Sequence, residues 1–367
     1  MKRFHSHQCG NFKSSYKEEL AVFQNDFGRL WFIIGLIVVF GLMPLSANSH
    51  ILRILNMIGI YSIAAIGLNV LTGYTGMISL GHSAIFGLGA YTAVILATGM
   101  NAPFWLAVPA GGAVSAVIGI GIGLPAVRLM GFYLCFATLA CQKIMEFIFI
   151  HWRGATGGTG GISLSKTAFL GMDLKNDIIL YYITFILLAL MAWIAVNLMR
   201  SRFGRAFLAI RDDQEAAEMM GIPVFKYKLL SFAFGSFYAG IAGALFAYYN
   251  LNISPGLFNL SFSIILLAMI IIGGLGSLPG SIFGAIVVVL LKETSVYSDR
   301  LLADTFGASF NLSSLYEFAV GLLMALFIIF KPKGLAGAWS HINSIFRLWP
   351  FSQGADYGFK KSYPGHK

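Results

Sequence analysis

Ten apolar runs, at residues 31–45, 51–72, 83–99, 103–123, 130–150, 179–199, 228–250, 260–275, 280–292 and 313–330, punctuate the 367-residue sequence. Lipid offers no partner to backbone amides, so a stretch of about 20 apolar residues crosses a bilayer as a helix that satisfies its own. The fold class that follows is all-α: a polytopic integral membrane protein of about ten transmembrane helices. The 31–45 and 280–292 runs fall short of a full span, so some helices are expected to be tilted or broken. Composition points the same way. Hydrophobic residues make up 57% and charged residues 11%, with mean hydropathy +0.78; a soluble chain of this size exposes far more charge.

One stretch between the runs breaks the pattern. Arg200 to Leu230, RSRFGRAFLAIRDDQEAAEMMGIPVFKYKLL, holds six Lys or Arg and four carboxylates and is expected to lie in water. Asp212 is placed to cap a helix of about two turns there, Glu215 to return the bond, and Gly221 followed by Pro223 to stop it. Ala216, Met219 and Met220 fall at i, i+3 and i+4, a small soft apolar face between charged flanks that suits a groove. So short a helix is marginal alone and needs packing against its own bundle or against another protein.

Placing that loop in the cytoplasm and counting crossings both ways puts the N-terminal tail (1–30), the short loop with Arg128 and the C-terminal tail (331–367) on the same side. Those four regions hold 18 of the 25 Lys and Arg, as the positive-inside rule requires. The expected organisation is a tail, a membrane domain over 31–330 with its cytoplasmic loop at 200–228, and a second tail. The net charge of +10 is spread over loops and tails and forms no basic domain for nucleic acid. Cys9, Cys135 and Cys141 give neither a disulfide framework nor zinc spacing, and His5, His7 and Cys9 read as incidental residues of a tail, so no metal site is expected.

Two glycine-rich turns sit between apolar runs: Asn69 to Tyr91, NVLTGYTGMISLGHSAIFGLGAY, and Ile270 to Ala285, IIIGGLGSLPGSIFGA. Each places glycines, then a small-residue turn, then IFG, the pattern of a degenerate internal repeat. Backbone that leaves a helix inside a bilayer must be buried in protein or line a watery cavity, so paired breaks at Gly73, Gly76, Gly81, Gly273, Gly274, Gly276 and Gly280 fit a translocation pathway. They fit close helix packing equally well. His82 is placed to bond a carbonyl freed by the first turn or, as part of such a pathway, to contact what passes or take up a proton. Lys143 and Glu146, at i, i+3 in an apolar run, can pair on one face, which is expected to point inward, as a structural bridge or as pathway lining. The outer loop at 154–162, GATGGTGGI, is too glycine-rich to be helix and reads either as a flexible loop or as backbone that comes close to a ligand or a delivering partner.

These segments resemble, in order, a known family. TGYTGMISLGHSAIFGLGAYTA, TGGTGGI, the run from Phe203 to Ala244 and GGLGSLPGSIFGA, followed by Lys331-Pro-Lys-Gly-Leu-Ala-Gly, are similar to stretches of branched-chain amino acid ABC importer permeases, and Glu215-Ala216-Ala217 with Gly221 resembles the start of the loop by which ABC importer permeases at large engage an ATPase. The chain departs from the pattern in lacking the later Ile-x-Leu-Pro of that loop and in holding Lys143 where a carboxylate is common. The resemblance implies a type II ABC importer permease in a bacterial inner membrane with both termini cytoplasmic. It implies two ATPase subunits, which hold ATP and Mg, a second related permease, an extracytoplasmic binding protein, and leucine, isoleucine or valine as cargo, with urea, short amides or other amino acids moved by relatives. Asp212, Glu215, Ala216, Ala217, Met219, Met220 and Gly221 would then meet the ATPase. The sequence has no GxxxxGK[ST], no HExxH and no serine nucleophile elbow, so no catalytic residue or cofactor is expected on this chain. An ion-coupled secondary transporter is the other class considered; it would bury more ionisable residues than Lys143 and Glu146.

Overall fold

The computed structural model describes residues 48–129, 131–164, 168–169, 172–173, 176–306, 313–331 and 333–339. The 31–45 run, the N-terminal tail and residues 340–367 of the C-terminal tail lie outside them. Among the described residues, eleven α-helices of more than one turn follow in order: α1 (Ser49–Asn69), α2 (His82–Gly99), α3 (Phe104–Ala126), α4 (Phe132–His151), α5 (Asp177–Arg200), α6 (Arg202–Asp212), α7 (Gln214–Met219), α8 (Val224–Asn250), α9 (Leu260–Gly273), α10 (Leu278–Phe306) and α11 (Ser313–Phe330). Seven of them are long and apolar enough to cross a membrane, and α9 and α11 are shorter apolar helices. The protein is a multi-pass membrane protein. The 280–292 run is part of a 29-residue helix rather than a short span, because the helix continues through Lys292, Glu293 and Asp299 after the apolar pattern stops.

α8 is the axis of the bundle, buried along most of its length against α1, α2 and α3. Helices in lipid gain little from hiding apolar surface and associate through close van der Waals fit, which small residues allow. A Cβ on Gly89 of α2 would run into the Gly240 backbone, one on Gly243 into the Phe86 carbonyl, and one on Gly240 would stand 2.5 Å from Ser115. Around that seam Tyr61, Phe86, Phe246, Phe258 and Phe262 interlock, with ring centroids 5.1–6.4 Å apart.

At 14 residues, α9 spans only about 21 Å. The segment before it descends into the bundle, so that its N-terminus meets that of α2: Ser83 N–H donates to Ser263 Oγ at 3.0 Å and Ser83 Oγ to the Asn259 carbonyl at 2.9 Å. Gln142 of α4 bridges both, donating to the Phe258 carbonyl (2.6 Å) and accepting from Ala84 N–H (2.8 Å).

The GATGGTGGI segment is more ordered than its composition suggests. It contains a helical turn at Arg153–Thr156 and a 3-10 turn at Gly158–Gly160, and Thr156 Oγ1 donates to the Phe149 carbonyl at 2.7 Å. It leads into β1 (Ile162–Ser163). A two-residue hairpin pair, β2 (Ala168–Phe169) with β3 (Met172–Asp173), follows, and β1 itself pairs antiparallel with β4 (Asn252–Ile253) after α8. The sequence expectation of a nonhelical loop is corrected by these side-chain and backbone closures.

Replacing Gly89 by Leu is expected to lower stability by about 1–3 kcal/mol or more, since the neighbour is backbone that cannot turn aside. Gly121→Ala, which meets open space, should be neutral. Apparent unfolding temperature in detergent micelles compares the two; equal temperatures would refute the close-packing account.

Candidate functional site

Backbone that leaves a helix inside an apolar bundle must find new partners. Here it leaves twice, and the two breaks touch. α1 runs on through a π-helical turn, Val70–Tyr74, to Gly76 at φ +77°; α9 ends at Gly273, and the chain turns through Gly274 (φ +122°) and Gly276 (φ +75°). Such backbone favours glycine because a Cβ strains it. Asn69, fully buried, joins the breaks. Its amide Nδ2 donates to the Ser277 carbonyl and to Ser281 Oγ, each at 2.8 Å, while its Oδ1 accepts from Gly276 N–H at 2.9 Å. Within the first turn, Thr72 Oγ1 donates to the Met77 carbonyl and Thr75 Oγ1 to that of Val70.

Arg211 of α6 reaches the same place. Ser201 caps α6, accepting from Phe203 N–H at 3.1 Å, and the inner face of the helix seats Phe207 against Val70 and Leu198. One turn later Arg211 Nη1 donates to the Gly73 carbonyl at 2.8 Å. A Cβ on Gly76 would stand 3.1 Å from Arg211 Cγ and one on Gly276 2.9 Å from Nη1, so the stem lies over one turn and the guanidinium between both. The 200–228 loop is therefore only partly in water. The segment after α11 closes the far side: a Cβ on Gly274 would be 2.6 Å from the Lys333 carbonyl. Gly273 and Gly280 serve differently, as contact glycines between α9 and α10, where a Cβ on Gly280 would stand 2.6 Å from the Gly273 carbonyl.

α7 projects from this end of the bundle. Its cap is Asp213, not Asp212: Asp213 Oδ1 accepts from Glu215 N–H (2.9 Å) and Ala216 N–H (3.1 Å). Asp212 instead finishes α6, beside Arg211, because the residues before it form a helix of their own and the extended backbone needed for a cap comes one position later. Glu215 enters as a backbone donor to that cap. Ala217 is buried with Ile210 and Val224, and Lys228 Nζ donates to Gln214 Oε1 at 2.6 Å. Ala216 is exposed, and Met219 and Met220 are each 85% exposed. Gly221, at φ +80°, ends the helix, its N–H donating to the Glu218 carbonyl.

The other residues singled out in the sequence lie elsewhere. A Cβ on Gly81 would stand 2.6 Å from the Thr138 carbonyl. His82 begins α2 and is fully buried with the Ala64 carbonyl beside its ring, and among the described residues neither ring nitrogen meets the geometric criteria for a hydrogen bond. Lys143 and Glu146 do pair, at 2.9 Å, but on the outer face of α4, with Lys143 56% exposed. The inward expectation fails because Thr138, Gln142 and Phe149 occupy the buried face, and the Gln142 amide matches the donors and acceptors waiting there. Sequence reasoning passed over Asn69, Gln142 and the contact made by Arg211. An amide inside an apolar run was the signal for the first two.

The family model for the branched-chain amino acid transport system permease component matches residues 50–330. The high-affinity branched-chain amino acid transport system permease protein LivM of Escherichia coli is 31% identical over 328 residues, covering 83% of this chain and 74% of that protein. LivM of Salmonella typhimurium is 30% identical over the same shares. A differently named permease protein of the latter organism, LivH, is 24% identical, covering 76% of this chain and 91% of its own. No solved structure matches the chain.

Asn69→Ala strands Gly276 N–H inside the bundle and is expected to cost about 1–3 kcal/mol, read as a drop in apparent unfolding temperature in micelles. Asn250→Ala, which loses an exposed bond to the Asn252 carbonyl, should stay within about 0.5 kcal/mol. Similar effects at both positions would refute the bridging role of Asn69.

Proposed function

Because the chain belongs to the branched-chain amino acid transport system permease family, we propose that it is the membrane-spanning subunit of an ATP-driven importer whose cargo is leucine, isoleucine or valine. In this reading two ATPase subunits bind and hydrolyse ATP with Mg, a second related permease completes the membrane pore, and an extracytoplasmic protein delivers cargo. The chain lies in a bacterial inner membrane with α6, α7 and both termini in the cytoplasm. Hydrolysis takes place on the separate subunits.

The observation that carries the reading is α7. A membrane protein has little reason to hold two methionines 85% exposed on a capped helix beside charged residues unless something covers them. Methionine adapts to a groove through its flexible thioether. Ala216, Met219 and Met220 are the contact face, Glu215 supplies charge at its edge, and buried Ala217 ties the helix to α6 and α8. ATP-driven closure of the ATPase pair moves this helix, and the bundle alternates between its two openings.

Purification of the chain from its native membrane is expected to bring an ATPase and a second permease with it, and vesicles holding the assembly should take up leucine only with ATP. Uptake by the chain alone under a sodium or proton gradient would replace this reading with a secondary transporter, and uptake of urea or amides in preference to leucine would replace the cargo. Glu215→Arg and the pair Met219→Glu, Met220→Glu should each weaken ATPase capture by about 10-fold or more, in line with the loss of interface anchors, at normal levels of inserted protein. Normal capture and transport would sink the docking role of α7.

A further inference from the structure

We propose that Arg211 is the joint through which α7 acts on the two interrupted helices. This rests on the function proposed above. α7 is tied to α6 by Ala217 and Ile210, α6 to the first break by Phe207 on Val70, and the guanidinium is keyed to Gly73 while it lies against Gly276. The breaks in turn are locked to each other by Asn69. Displacement of α7 is therefore delivered to both turns at once. The contact is made to backbone, which has no rotamer through which to evade the push, and Arg211 stands at the end of α6 that adjoins α7.

Arg211 differs in this from Arg202 and Lys228 of the same loop. Arg202 lies over the ring of its neighbour Phe203 and Lys228 binds Gln214, both within their own surroundings, whereas Arg211 crosses from the loop to residues 138 positions earlier in the chain. Its bond to Asp212 is longer, 3.5 Å, and exposed. The role is one of positioning, exerted through the backbone of the two turns.

The test uses the complete assembly in vesicles and reads leucine moved per ATP hydrolysed, with ATPase capture measured alongside. Arg211→Ala is expected to retain the ATPase subunits and to hydrolyse ATP, yet to move on the order of 10-fold less leucine per ATP, within the range of ordinary coupling between sites. Arg211→Lys, which keeps a cationic donor, should recover part of the ratio, and Arg211→Gln less. A purely structural arginine would lower assembled protein and leave the ratio alone. If Arg211→Ala does not assemble, Lys above Gln in leucine per ATP is the expected order, and a wild-type ratio in both overturns the proposal. Failure of the wild-type assembly to transport leucine with ATP would overturn the proposed function instead; wild-type transport with every variant fully coupled overturns only the role of Arg211.

Discussion

Everything at this end of the bundle depends on keeping broken backbone supplied with hydrogen bonds. Two helices stop within a few ångströms of each other, and their freed groups are not left to solvent. The Asn69 amide serves the second break with both of its ends, and the Arg211 guanidinium serves the first. A carboxylate at position 69 would accept but not donate, and a lysine would donate but not accept; the amide is the side chain that does both. The two turns are thereby one unit, and the helices that leave them, α1, α9 and α10, share a common anchorage.

Elsewhere the bundle is assembled by fit. Glycines on α2, α3 and α8 let backbones approach to a distance that no Cβ would permit, and the aromatic cluster fills the wider space where α8 meets the descending segment before α9. That descent brings two helix N-termini together at Ser83 and Ser263, with Gln142 closing the polar gap. Interruptions and close packing are therefore not competing explanations for the glycine-rich stretches. Gly273 and Gly280 make helix contact, while Gly76, Gly274 and Gly276 supply left-handed turns.

Apolar runs gave the helices almost directly, since a span is recorded in local hydropathy. They failed where hydropathy and helicity part, as in α10, which stays helical after its apolar pattern ends at Lys292. The exposed face of α7 was legible from i, i+3, i+4 spacing, but its cap was misplaced by one residue because adjacent Asp212 and Asp213 are equivalent to a local pattern and only the termination of α6 separates them. Inward and outward faces of α4 were not legible at all. Lys143 draws attention as a charge, yet the buried position belongs to its neighbour Gln142, whose partners lie on α2 and before α9, far away in the chain. The meeting of Asn69 with Gly276 is of the same kind: a contact across 207 positions leaves no trace in either segment alone.

A six-residue helix has no stable existence apart from its surroundings. α7 holds its shape because Ala217 rests between Ile210 and Val224, residues brought together only when α6 and α8 are in place. Its exposed methionines are thus presented as a set by a finished bundle and scattered by an unfinished one. A partner docking there, as in the function proposed above, would meet its surface only on a bundle that has already folded.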